Sequence, residues 1–308
     1  MSERAAFLFP GQGSQYVGMG RDLYEAFPEA REMFDQAEAL LDFPLKKLCF
    51  EGPEEELKQT RFTQPAIFVH SLVVDRLVRQ RGLVPEAVAG HSLGEYSALV
   101  SAGALGFADG LRLVKLRGEL MQMSGEKHPG TMAAIIGLKP EEVEAVCRQA
   151  AEAGVVQPAN FNCPGQIVIS GSIPGVRRAM ELARQAGARL VKELVVSGAF
   201  HSPLMKEALE GLVAALRQVP LQKPQVPLYS NVEAAPTSDP EHIRGLLEQQ
   251  LLSPVRWEES MRRMIADGFG PFYELGPGNV LQGLLKRIDR KQTCRSIGTA
   301  RDLQELAA

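Results

Sequence analysis

The sequence predicts an α/β fold, in which a large unit on a parallel sheet is interrupted by a smaller unit with its own sheet. Three observations carry that expectation. Short apolar runs alternate with helical patterns along most of the chain, the order expected of parallel strands joined by helical crossovers. Four of those runs end directly in turn residues: "AAFLF" (5–9) before "PGQGSQ", "AVA" (87–89) before "GHSLGE", "KELVV" (192–196) before "SGAFHSP", and "PFYEL" (271–275) before "GPGN". Between about 127 and 195 the grammar changes.

The four turns matter because ligands in open parallel sheets gather outside the carboxyl ends of the strands. One cleft could therefore be built from Gln12, Ser92, His201 and Asn279. In the changed segment, "TMAAIIGL" reads as a strand and "KPEEVEAVCRQAAEAG" as a helix. "VVQPANF" and "QIVISGS" follow as strands, "PGVRRAMELARQAG" as a helix and "RLVKELVV" as a last strand. That β-α-β-β-α-β order is the split, ferredoxin-like unit. The expected domains are thus 1–126 with 196–308, and 127–195 inserted between them, the two facing each other across a groove.

Composition narrows the class of protein. The 308 residues can hold one large domain carrying a smaller insert. Hydrophobic residues at 45% and charged ones at 23% suit a globular enzyme, and a net charge of −3 gives no general attraction for nucleic acid or anionic membrane. The four cysteines lie far apart without a C-x-x-C pair, so they read as reduced thiols of a cytoplasmic protein with neither zinc nor redox chemistry. "MSERAAFLFPGQG" is too short in its apolar run for a signal peptide, and no window approaches a membrane helix.

Chemistry concentrates at Ser92. It lies in a G-x-S-x-G motif after a short strand and before "LGEYSALVSAGAL", the context of a nucleophile elbow at a helix start. The backbone N–H of Leu93 would then face a developing oxyanion. The plain alternative is an inert serine in a glycine-bounded turn. A nucleophilic serine needs a base, and there are five histidines. His70 falls in a packed helix, His128 and His242 in polar surface segments, and His91 adjoins Ser92 with its side chain pointing away. His201 remains, at a strand end, with Ser202–Pro203 opening a helix behind it.

Arg117 interrupts the apolar stripe of "DGLRLVKLRGELMQM", whose neighbours at three and four positions are Leu113, Val114, Leu120 and Met121. A guanidinium there must find an anion, either a structural carboxylate or the substrate. The glycine-rich turns are not dinucleotide fingerprints: Tyr16 and Leu281 stand where the third glycine belongs, and no phosphate-loop motif occurs.

At this point the residues resemble a family. "FPGQGSQYVGMG", "TQPAIF", "GHSLGEYSAL", "KLRGELMQ", "GQIVISG", "GAFHSPLM", "SPVRW" and "ELGPGNVL" occur in order between residues 9 and 281. Together they resemble the bacterial malonyl-CoA:acyl carrier protein transacylases and the related acyltransferase domains of polyketide synthases. The resemblance implies an α/β-hydrolase-like large domain with a ferredoxin-like subdomain. It implies Ser92 as the malonyl-accepting nucleophile, His201 as base, and the N–H groups of Gln12 and Leu93 as oxyanion hole. It implies Arg117 as partner of the malonyl carboxylate and the Gln250 main-chain carbonyl as the group orienting the histidine, a dyad variant of the triad. Gln64 and Asn162 fall at family positions near the cleft, and Phe200 belongs to the malonyl-selecting version of its block. The resemblance further implies a role in fatty acid synthesis, with malonyl-CoA and acyl carrier protein as substrates and no metal or redox cofactor, and a monomer is expected. The rivals are a serine esterase or thioesterase and a non-catalytic carrier-docking subunit. The usual hydrolase order, with histidine late in the chain, argues against the first, since about a hundred residues follow His201. An intact set of Ser92, His201 and Arg117 argues against the second.

Overall fold

A computed structural model describes residues 4–306 of the chain. Its fold is α/β, and its larger sheet is mostly parallel. Residues 1–3 and 307–308, the outer ends of the larger expected domain, lie outside the described residues.

The larger sheet contains β1 (Ala6–Phe9), β2 (Ala87–Gly90), β7 (Leu228–Tyr229), β8 (Pro236–Thr237), β9 (Phe272–Leu275) and β10 (Cys294–Ile297). Their order is β10-β9-β1-β2-β7-β8, and only the β7–β8 pair is antiparallel. The run "AFLF" of β1 is apolar throughout because a central parallel strand is covered on both faces. Phe7 and Phe9 point into the core shared with the helices Thr60–Gln80 and Phe107–Lys127. Ala6 and Leu8 point the other way, into a second core with Trp257, Met261 and Leu285.

The smaller sheet contains β3 (Gly130–Ile136), β4 (Val156–Cys163), β5 (Gln166–Ser172) and β6 (Leu190–Glu193), in the order β4-β5-β3-β6 with every neighbouring pair antiparallel. Helices Pro140–Ala150 and Ile173–Gln185 cover one face through Val143, Val176, Ala133, Ile135, Ile167 and Ile169. The opposite face, with Met132 and Val168, joins the core of the larger unit. The β4 ladder crosses the boundary as well. Phe161 N–H donates to the Val255 carbonyl at 2.9 Å, and Val255 N–H donates to that of Ala159 at 2.8 Å.

One expectation about the turns needs correcting. The run "KELVV" does not end a strand of the parallel sheet: β6 stops at Glu193, belongs to the antiparallel sheet, and is followed by irregular chain to Phe200. Val195 is fully exposed, so this apolar run is not a buried strand. The segment instead crosses the Phe107–Lys127 helix so closely that a Cβ on Gly125 would sit 2.0 Å from the Ser197 carbonyl oxygen. His201 therefore reaches the cleft on a loop, from the side of the smaller unit. No helix among the described residues is long and apolar enough to cross a membrane.

Candidate active site

A cavity of about 280 Å³ lies where the two sheets meet, lined by Gln12, Ser92, Leu93, Arg117, Phe200 and His201 among others. Its apolar wall includes Met132, Val168, Leu281 and Leu284. Asn279, expected in the cleft, is exposed and outside this lining. The helix Val280–Ile288 begins directly behind it, so that turn contributes Val280, Leu281 and Leu284 instead.

Ser92 sits on a strained elbow. Its φ is 51°, in the left-handed region that costs a non-glycine residue about 1–3 kcal/mol. The flanking glycines are required by backbone contact: a Cβ on Gly90 would fall 1.9 Å from the Gly94 main chain, and one on Gly94 would fall 2.0 Å from the Phe9 carbonyl oxygen. The elbow is pinned from outside by two side chains. The Ser92 N–H donates to Asn231 Oδ1 at 2.7 Å, and Gln250 Nε2 donates to the Ser92 carbonyl at 3.0 Å. Asn231 Nδ2 in turn donates to the Gly90 carbonyl at 2.7 Å.

His201 is also held at positive φ, 56°, and is buried. Its Nδ1 lies 2.9 Å from the Gln250 carbonyl and 3.1 Å from that of Ser253. Carbonyls only accept, so the ring proton resides on Nδ1 and the Nε2 lone pair is free. That Nε2 is 2.8 Å from Ser92 Oγ, the geometry in which the hydroxyl donates its proton to the ring. Burial first, then the Arg117 guanidinium, push the imidazole pKa down to about 3, against the opposing pull of the Gln250 carbonyl. The neutral, proton-accepting form is thereby the resting one.

Arg117, buried in the Phe107–Lys127 helix, makes no ion pair among the described residues. Its Nη1 donates to Gln64 Oε1 at 2.7 Å, and its Nη2 donates to Gln250 Oε1 at 3.0 Å and to Ser92 Oγ at 3.1 Å. A buried cation with only neutral hydrogen-bond partners, facing a cavity, is arranged for an anion that arrives from outside.

The remaining expected residues fall around this centre. Gln12 and Leu93 lie on the turns after the neighbouring strands β1 and β2, and among the described residues neither N–H has an acceptor in the protein. The Gln12 side chain donates to Thr60 Oγ1 at 3.2 Å. Asn162 Oδ1 lies 2.9 Å from His91 Nε2, so the His91 ring in the cavity wall is engaged by that amide. Phe200 packs in the wall beside His201. His70 is buried in its helix, while His128 and His242 pair with Glu207 and Glu233 at the surface.

Three contributors escaped the sequence reading. Asn231 is described above. Gln157 of β4 donates through Nε2 to the His201 and Leu252 carbonyls at 2.8 and 3.1 Å, clamping the histidine loop from the smaller unit. Glu95, fully buried one turn past Ser92, accepts from Gln250 Nε2 at 2.5 Å and from the Asn231 N–H at 3.3 Å. A glutamate in the motif "GHSLGE" was the available signal; nothing local marks the other two.

A serine poised to lose its proton, with unclaimed N–H groups and a buried guanidinium beside it, is the site of an enzyme that moves acyl groups. The chain belongs to the family described as the acyl transferase domain, whose model matches residues 6–307. It is 48% identical over 289 residues to the malonyl CoA-acyl carrier protein transacylase of Bacillus subtilis, with 94% of this chain and 91% of that protein covered. The solved transacylase of the same description from Coxiella burnetii superposes with a TM-score of 0.96 at 41% identity, covering 99% of this chain and 97% of that one. A malonyl-transacylase solved in complex with its type II polyketide acyl carrier protein superposes with a TM-score of 0.95 at 42% identity, covering 98% of each chain.

Proposed function

We propose that the protein transfers a malonyl group from malonyl-CoA to the phosphopantetheine thiol of acyl carrier protein, supplying fatty acid synthesis. The observation that carries this reading is the double contact at one oxygen: Ser92 Oγ faces His201 Nε2 at 2.8 Å and Arg117 Nη2 at 3.1 Å. The names of the relatives point the same way.

The steps follow from the geometry. Ser92 Oγ attacks the thioester carbonyl as its proton passes to His201 Nε2, and the carbonyl oxygen takes up negative charge. The N–H groups of Leu93 and Gln12 stabilise that charge. Collapse breaks the carbon–sulfur bond, and the proton on Nε2 is available to the coenzyme A thiolate, leaving malonyl-Ser92. The carrier thiol then attacks the same carbonyl, giving its proton to His201, and collapse returns that proton to Ser92 Oγ. The malonyl carboxylate is held throughout by the forked donors of Arg117, in two charge-assisted bonds. Gln250 and Gln64 fix the fork, Asn162 fixes His91 in the cavity wall, and Phe200 narrows the acyl end. Every proton and charge is assigned to a residue of this chain, so the reaction calls for no metal or redox cofactor.

The finer architecture supports the same reading. The larger unit, 1–126 with 196–308, is α/β-hydrolase-like: its nucleophile lies on a strand–turn–helix elbow of a parallel sheet. The smaller, 127–195, is ferredoxin-like, and it forms the far wall of the acyl cavity. The carrier is acidic as a class, and the exposed cations Lys286 and Arg287 in the last turn of the helix that lines this cavity, with Arg290 and Lys291 just beyond it, offer a basic run. A monomeric, cytoplasmic enzyme with no nucleic acid or membrane partner completes the proposal. The test is incubation with labelled malonyl-CoA, with and without acyl carrier protein. Carrier-dependent transfer of label supports the transacylase; rapid release of free malonate makes the protein a hydrolase, and absence of label on the protein makes it a docking module.

A further inference from the structure

The transfer mechanism leaves one buried ionisable group unused. Glu95 is 2% exposed and forms no ion pair among the described residues. Its carboxylate is tied to Arg117 through a single carboxamide: Gln250 Nε2 donates to Glu95 Oε2 at 2.5 Å, while Gln250 Oε1 accepts from Arg117 Nη2 at 3.0 Å. The polarity of that amide is consistent with the charges at its two ends, a carboxylate facing NH₂ and a guanidinium facing oxygen. The other groups facing this pair from the elements packed on it are Tyr96, whose ring lies 5.5 Å from the Arg117 guanidinium carbon, the Asn231 N–H, and the neutral His201 ring.

Among the described residues, Glu95 is the carboxylate tied to the buried Arg117, so the ionised Glu95 and Arg117 together balance in charge. A malonyl carboxylate docked on Arg117 turns that balance to a net negative charge in a dry site, which is costly unless a proton comes in. Burial already holds the Glu95 carboxyl well above the ordinary carboxylate range, at about 7, with Gln250, Asn231 and Arg117 opposing.

We infer that Glu95 is a charge-compensating positioning residue, taking up a proton when a malonyl carboxylate docks on Arg117 and releasing it when the acyl group leaves. This rests on the malonyl-transfer reading above and adds a linkage to it. Acylation itself is proton-neutral: the serine hydroxyl proton ends on the coenzyme A thiol, and the malonyl carboxylate stays ionised. Net uptake therefore reports a protein group. Because malonylation raises the Glu95 pKa, the equilibrium between enzyme plus malonyl-CoA and malonyl-enzyme plus coenzyme A shifts toward the malonyl-enzyme as pH falls between the raised and the resting values. It is flat above and below that window.

The test is a first-turnover proton count with a pH indicator in weak buffer near pH 7.5, with adduct formation followed in parallel by intact mass. On the order of half a proton should be taken up per malonyl group. Acetyl-CoA forms an acyl-enzyme without a carboxylate and should give none, a comparison that needs no variant. Glu95→Gln should form the malonyl adduct with the uptake lost. Equal uptake with both acyl donors, no uptake with either, or uptake that survives Glu95→Gln would overturn the inference while the mass adduct leaves malonyl transfer standing. Absence of the adduct itself would overturn the transfer reading instead.

Discussion

The two residues of the proposed dyad, Ser92 and His201, are placed by different means. Ser92 is set mainly by close backbone packing: Gly90 and Gly94 let two backbones meet where any Cβ would collide, the Gly94–Ser101 helix starts directly after, and Asn231 and Gln250 pin the elbow from far along the chain. His201 is set by groups far along the chain, the carbonyls of Gln250 and Ser253 at separations of 49 and 52 residues and the amide of Gln157 at 44. Both carry a left-handed backbone, and the serine's is further held by the glycine contacts beside it. The serine elbow is thus built into the packed strands, whereas the histidine depends on carbonyls at and just past the end of the Pro240–Gln250 helix and on one amide of the smaller unit. Damage to the first should cost stability, and damage to the second should cost rate.

The sharpest way to break that comparison pairs Gly94→Ala with His201→Ala. The first forces a methyl group into the Phe9 carbonyl and should destabilise the fold by more than about 4 kcal/mol, read as lost soluble yield or a collapsed Tm. The second should leave Tm within a few degrees and slow malonyl-enzyme formation roughly a hundredfold to ten-thousandfold. In the unaltered protein the base protonates only far below the ordinary histidine value of about 6.5. Its contribution is lost as pH falls through that lowered value, so the acylation rate should hold to about pH 5; a midpoint near 6.5 would contradict the buried, cation-flanked placement.

Arg117 gives the next largest effect. Breaking a buried pair costs about 3–5 kcal/mol, so Arg117→Ala should lower kcat/KM for malonyl-CoA by a hundredfold to a few thousandfold while sparing acetyl transfer. Arg117→Lys should recover part of the loss, since an ammonium cannot copy the fork. Equal loss on both donors with a lowered Tm would make Arg117 a structural cation.

Smaller effects sharpen the contrast between local and distant support. Gln157→Ala removes one clamp on the histidine loop and should reduce kcat about tenfold with KM for malonyl-CoA nearly unchanged. An unchanged kcat would mean that the carbonyls of Gln250 and Ser253 suffice. The smallest effect belongs to the surface: Lys286→Glu with Arg287→Glu should raise KM for acyl carrier protein roughly threefold to tenfold and leave that for malonyl-CoA alone. Parallel changes in both would place the carrier elsewhere.

How far the site could be read from the sequence follows the same division. Ser92 and the turn that holds it were legible because an elbow is a local motif whose glycines state their own geometry. Arg117 was legible because helical periodicity exposes a charge on an apolar face. His201 was reached by elimination and resemblance, but its setting was misread. The run "KELVV" has the composition of a buried strand, yet beyond Glu193 the chain leaves its neighbour to cross the Phe107–Lys127 helix. Asn231 and Gln157 were invisible, since one side chain reaching a carbonyl far along the chain leaves no pattern. The strands β7 and β10 were missed for a related reason. One is two residues long and the other, at the sheet edge, reads "CRSI", so neither carries the apolar run that marks a strand.

The central claim is that one serine carries the malonyl group between two thiols. Intact mass of the protein after brief exposure to malonyl-CoA alone tests it most directly, with the adduct located by peptide mapping. The account predicts a single malonyl group on the peptide containing Ser92, none on Ser92→Ala, and discharge of the wild-type adduct on adding phosphopantetheinylated acyl carrier protein. An adduct that persists on Ser92→Ala, or one that the carrier thiol cannot discharge, would contradict it.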